Sequence, residues 1–148
     1  MRNYFPADVL VVEDNPNDAE LTIRALKKQG LANEIYHVSD GQEALDFVFC
    51  KGKYTYRDIN HPVKVILLDL KLPKVDGMQV LREIKSSPIT SKIPVVIVSS
   101  SKEDPDIDKA YELGVNSYVV KPVDFNAFMK AIQDTGLFWL LVNEGPFK

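Results

Sequence analysis

Cysteine and histidine are scarce: one thiol, Cys50, and two imidazoles stand in 148 residues. A lone thiol closes no disulfide within the chain, and these three donors are too few for a zinc site. A cationic surplus is missing too, since the formal net charge is −3. Without excess Lys and Arg to displace counterions, non-specific nucleic-acid binding is not expected. No apolar run approaches the ~20 residues that span a bilayer, so no membrane segment is expected. Residues 1–6 hold one basic residue and no apolar stretch, unlike a secretory signal. A Gly-rich Walker-type loop is absent, which excludes P-loop nucleotide hydrolysis. No repeat, low-complexity tract or linker interrupts the chain. What remains is expected to be a single cytoplasmic domain over 1–148. With 45% hydrophobic and 26% charged residues, it has the means to bury a core.

Three short runs are apolar almost without a break: Val9-Leu10-Val11-Val12, Val63 with Val65-Ile66-Leu67-Leu68, and Val95-Val96-Ile97-Val98. They are too short for helices and rich in β-branched residues, which predicts strands buried on both faces of a parallel sheet. Weaker strand signals lie at 34–38 and 117–120. Helical signals fall between. Asn15-Pro16 opens one helix with Ala19, Thr22, Ile23 and Leu26 on a stripe and Gly30 at its end. Asp40-Gly41 opens a second with Ala44, Leu45 and Val48. Asp76-Gly77 opens a third with Val80, Leu81 and Ile84. Asp104-Pro105 opens a fourth with Ile107, Ala110 and Tyr111, closed by Gly114. Asp124 opens a fifth with Phe125, Phe128, Met129 and Ile132. Five strand–helix alternations with right-handed crossovers predict a doubly wound, five-stranded parallel α/β sheet. The segment 51–62, polar and aromatic, is predicted as an extended loop before the third strand.

In an open α/β sheet, ligands bind beyond the carboxyl ends of the strands. There the chain places Glu13 and Asp14, then Asp69, then Ser99, Ser100 and Ser101, then Lys121 before Pro122. Singly, each has an ordinary structural use: a helix cap, a satisfied strand-end hydroxyl, a surface lysine. Together they gather three carboxylates, a hydroxyl and an ammonium at one edge. A divalent cation relieves such crowding, and oxygen-only donors favour Mg²⁺. Cation, ammonium and hydroxyl together form a clamp for a phosphoryl group transferred onto a carboxylate.

The pieces Val-Glu-Asp-Asn (12–15), Leu-Leu-Asp-Leu-Lys-Leu-Pro-Lys-Val-Asp-Gly (67–77), Pro-Val-Val-Ile-Val-Ser-Ser (94–100) and Ala-Tyr-Glu-Leu-Gly-Val-Asn-Ser-Tyr-Val-Val-Lys-Pro (110–122) resemble the receiver domain of two-component response regulators. Their order and spacing are highly specific, and the resemblance spans about residues 9–143. It implies a flavodoxin-like (βα)5 fold. It also implies that Asp69 accepts phosphate from a sensor histidine kinase. Glu13, Asp14, Asp69 and the backbone carbonyl of Lys71 would hold Mg²⁺. Ser99 and Lys121 would contact the phosphoryl group, Tyr118 would swing inward with Ser99, and the bond to Pro122 would be cis. Glu13 stands where the family more often has Asp, and Lys71 and Ser100 depart from common choices without removing a required group. The 51–62 segment and aromatic tail resemble the stand-alone regulators that serve phytochrome-type kinases, with no DNA-binding output domain.

Rival readings fare less well. A flavodoxin-like cofactor binder wants a small, amide-rich turn after the first strand, and the acidic turn 13–18 repels an anion unless a metal intervenes. An aspartyl-phosphate phosphatase usually has a second acid two residues past its nucleophile, where this chain has Lys71. A degenerate receiver that only docks would not need the full set of acids, hydroxyl and lysine. The stretch 137–142, within an apolar extension at 136–148, is apolar on every side. It is expected to fold back, to dock a kinase or to pair two copies, and the favoured expectation is a homodimer with Phe138, Trp139 and Leu141 in the partner surface.

Overall fold

The computed structural model describes residues 7–28, 30, 34–121 and 125–134. Strands and helices alternate along it: β1 (Val9–Val12), α1 (Pro16–Lys28), β2 (Ile35–Val38), α2 (Gly41–Val48), β3 (Val65–Leu68), α3 (Gly77–Ser86), β4 (Val95–Ser99), α4 (Asp104–Glu112), β5 (Ser117–Val120) and α5 (Phe125–Asp134). The five strands pair in parallel in the order β2-β1-β3-β4-β5. This is the predicted doubly wound sheet, and the order reverses direction between β1 and β3. The crevice at that switch point is where such sheets bind ligands.

The unbroken apolar strands follow from having two buried faces. Leu10, Val12, Ile66, Leu68, Val95 and Ile97 point to one side, where Ala44, Leu45, Phe47 and Val48 of α2 and Val80, Leu81 and Ile84 of α3 cover them. Val9, Val11, Val65, Leu67, Val96 and Val98 point to the other, against Leu26 of α1 and Phe128 of α5. Alternate residues thus serve opposite cores, and a polar residue in either register would be buried without partners.

Three local expectations are corrected. Val63 is buried but β3 begins at Val65, because Lys64 and Val65 donate their N–H groups to the Asp8 carbonyl as the chain enters the sheet. Helix α4 begins at Asp104 with Glu103 in the capping position, and Tyr111 lies 49% exposed while Ala110 carries the packing. The segment 51–62 is a loop before β3, but an ordered one rather than a loose one. It turns through a 3-10 helix at Gly52–Tyr54, and the Tyr54 ring is buried edge-on against Phe47. The Tyr54 hydroxyl donates to Glu43 at 2.6 Å, and the Arg57 guanidinium stacks on Phe47 at 3.8 Å while donating to the Phe47 carbonyl. Aromatic residues that read as loop texture are an anchored extension of the core. Asp124 and the extension 136–148 lie outside the described residues.

Candidate functional site

β1 ends at Val12 and delivers Glu13, buried, and Asp14, exposed, into the crevice. The turn is held from both ends. Asn15 caps α1, its Oδ1 accepting from the N–H groups of Asn17 at 2.9 Å and Asp18 at 3.0 Å. Glu13 accepts from the Asn15 N–H at 3.2 Å, and the Glu13 carbonyl accepts from His37 Nε2 at 2.7 Å. A carbonyl only accepts, so His37 carries its proton on Nε2.

β3 delivers Asp69, whose N–H donates to the Val12 carbonyl at 3.0 Å and so ties the two acidic turns together. The Lys71 N–H donates to Asp69 Oδ1 at 3.2 Å. Two glycines draw this loop tight. A Cβ on Gly77 would stand 2.1 Å from the Asp69 carbonyl oxygen, and one on Gly41 would stand 1.7 Å from the Val75 carbonyl oxygen. Both clashes are with backbone, so the amino ends of α3 and α2 approach the loop only because these side chains are missing.

The carboxylate oxygens of Glu13, Asp14 and Asp69 lie within 4.8 Å of one another. Lys121, at the end of β5, sends its ammonium into the same space: 2.6 Å from Glu13 Oε1, 3.0 Å from Asp69 Oδ2 and 3.0 Å from Asp18 Oδ2. One ammonium among these acids leaves the cluster net negative. Burial, with the charge of Asp69 added, pushes the Glu13 carboxyl up to about 7 against the pull of Lys121. Burial alone would lower the Lys121 ammonium, but its bonds to Glu13, Asp18 and Asp69 outweigh that and hold it above the usual lysine range. A group of hard oxygen donors in charge deficit fits a divalent cation such as Mg²⁺ or Mn²⁺ and offers nothing to a soft metal.

Ser99 closes β4 fully buried, and its Oγ accepts from the Ser101 N–H at 3.2 Å. Its carbonyl accepts from the Lys121 N–H at 2.8 Å, which links Ser99 to the lysine through the backbone. The Tyr118 hydroxyl donates to the Ser101 carbonyl at 3.0 Å, so this half-buried ring reports on the loop after β4. Pro122 and the three tail residues Phe138, Trp139 and Leu141 lie outside the described residues. Sequence reasoning brought Glu13, Asp14, Asp69 and Lys121 to one point. It missed Asp18 and His37. Asp18 was hidden as an ordinary acid in a first helical turn, and His37 as an interior strand residue with no partner in sequence.

Comparison with known proteins supplies the kinship of this arrangement. The family described as response regulator receiver domain matches residues 9–133. Response regulator Rcp1 of Synechocystis sp. (strain ATCC 27184 / PCC 6803 / Kazusa) is 38% identical over 136 residues, covering 91% of this chain and 90% of that protein. The Mn²⁺-bound form of Rcp1 superposes with a TM-score of 0.77 at 36% identity, covering 95% of this chain and 99% of that one. The bacteriophytochrome response regulator AtBRR is 55% identical with a TM-score of 0.76, covering 92% of this chain and 96% of that one. The phosphorylated cyanobacterial phytochrome response regulator RcpA is 35% identical with a TM-score of 0.75, covering 93% and 95%.

Proposed function

From the premise that this chain belongs to the response regulator receiver family, we propose that Asp69 is its phosphoacceptor and that Glu13, Asp14 and Asp69 hold Mg²⁺. The protein is a two-component response regulator, homologous to regulators that are phosphorylated. The observation that supports the assignment best is the convergence of three carboxylates within 4.8 Å, with the Lys121 ammonium 3.0 Å from Asp69. In the transfer, an Asp69 oxygen bonds to phosphorus as the bond to the donor histidine nitrogen breaks, and the electron pair returns to the imidazole. A bound divalent cation supplies charge neutralisation for the phosphoryl oxygens. Lys121 turns its ammonium onto the phosphoryl group, and the Ser99 hydroxyl donates a hydrogen bond to a phosphoryl oxygen. Both Ser99 and the Tyr118 partner Ser101 lie at the β4 end, so movement there is passed to the β5 face. The Lys71 carbonyl would add one oxygen to the cation.

The donor is a sensor histidine kinase, and the kinship with AtBRR, Rcp1 and RcpA favours a phytochrome-type kinase in the cytoplasm. The chain acts as one receiver domain over 1–148, a signalling phosphoacceptor that assists its own phosphorylation and dephosphorylation. Its apolar extension, with Phe138, Trp139 and Leu141, pairs two copies. Incubation with acetyl phosphate tests the site: Mg²⁺ should support formation of a single phosphoryl adduct and EDTA should prevent it. Equal yields in both would overturn the proposal.

A further inference from the structure

The Lys121 ammonium has three N–H donors and three carboxylate acceptors within 3.0 Å, on Glu13, Asp18 and Asp69. Glu13 and Asp69 belong to the triad that could hold a cation, and Asp18 does not. Asp18 is the third residue of α1, its N–H fixed by the Asn15 cap at 3.0 Å, and its side chain is 35% exposed. A cation seated in the triad repels an ammonium that shares two of its ligands. Asp18 offers that ammonium an acceptor outside the triad.

We propose that Asp18 is a positioning residue that retains Lys121 in the unphosphorylated protein and competes with the phosphoryl group for it. The inference rests on the function proposed above. When the phosphoryl group of acetyl phosphate passes to an Asp69 oxygen, acetate leaves with the electron pair of the broken P–O bond. The product presents new acceptor oxygens to Lys121, and the ammonium reaches them by loosening its bond to Asp18. The carboxylate of Asp18 therefore favours the state before transfer.

Asp18→Asn keeps the side-chain shape and an oxygen acceptor but removes the charge. With saturating Mg²⁺ and acetyl phosphate it should be phosphorylated faster than the parent, by about three- to tenfold, the range of a part-exposed charge-assisted bond. A loss of simple charge repulsion toward the donor would give the same sign, so the same substitution is made in a Lys121→Met background. Competition for the ammonium predicts that the gain disappears there, and a gain that persists would overturn the inference. Thermal unfolding in EDTA gives a second reading. Asp18→Asn should cost more stability in the parent than in Lys121→Met, and equal effects in the two backgrounds would overturn it. A parent that takes phosphate while Asp18→Asn matches its rate sinks this inference alone. A parent that takes no phosphate sinks the proposed function with it.

Discussion

Glu13 carries the tension of the site in one side chain. Its carboxyl is buried and faces Asp69, which raises its pKa from 4.5 to about 7. The folded protein therefore holds a proton that the unfolded chain releases across that window. Metal-free stability from this group is present at low pH and falls as pH rises from 4.5 to about 7, by on the order of 3 kcal/mol. A cation reverses the trend, because above that window it no longer displaces a proton to reach the oxygen. The stabilisation by Mg²⁺, measured as the rise in melting temperature over an EDTA control, should be larger at pH 8 than at pH 6. A rise that is flat with pH, or larger at pH 6, would contradict this account of Glu13. The residues that answer to a strand end were legible in sequence, because three apolar strands and the weaker signal at 117–120 each stop at a polar group. Asp18 was not, because its role is set by the reach of Lys121, 103 positions away in the chain.

At the scale of elements, sheet and helices hold Asp69 in place through close backbone approach. The strands were readable because burial on both faces leaves no alternation to confuse the pattern, and the caps Asp40 and Asp76 accept from Glu43 and Gln79 as their positions predict. The 51–62 segment was not readable, because its order comes from Phe47 and Glu43 on α2 rather than from any period of its own. The approach that bears on Asp69 is at Gly77, where a methyl group would meet the Asp69 carbonyl oxygen at 2.1 Å with no flexible atom to yield. Gly77→Ala should destabilise the fold by about 2–3 kcal/mol, as overpacking against fixed backbone does. It should also slow phosphorylation of the fraction that remains folded by displacing Asp69. Gly30→Ala serves as the contrast: its φ of +64° is strained for alanine, yet its Cβ would meet nothing within 4 Å. It should cost about 1–2 kcal/mol and leave phosphorylation unchanged. Denaturant unfolding with acetyl phosphate assays checks both, and equal effects of the two substitutions would contradict the close-approach argument.

At the scale of the whole molecule, the proposal has two parts: a phosphoryl site at one edge of the sheet and a pairing surface in the sequence that follows α5. The apolar stretch 137–142 has no polar side to give to solvent, and Phe128 already covers the sheet beneath α5. The parent should therefore sediment as a dimer. Phe138→Asp combined with Leu141→Asp should sediment as a folded monomer that still accepts phosphate. A parent that is strictly monomeric with and without phosphate would end the dimer proposal while leaving the site untouched. Trapping the phosphoryl group on its acceptor is the most direct test of the proposed site. Borohydride reduces an aspartyl phosphate to homoserine, so phosphorylated protein can be reduced, digested and mapped by mass spectrometry. Homoserine at position 69 alone, lost in Asp69→Asn and in EDTA, is the predicted result. Homoserine at another acid, or an undiminished phosphoryl adduct on Asp69→Asn, would contradict it.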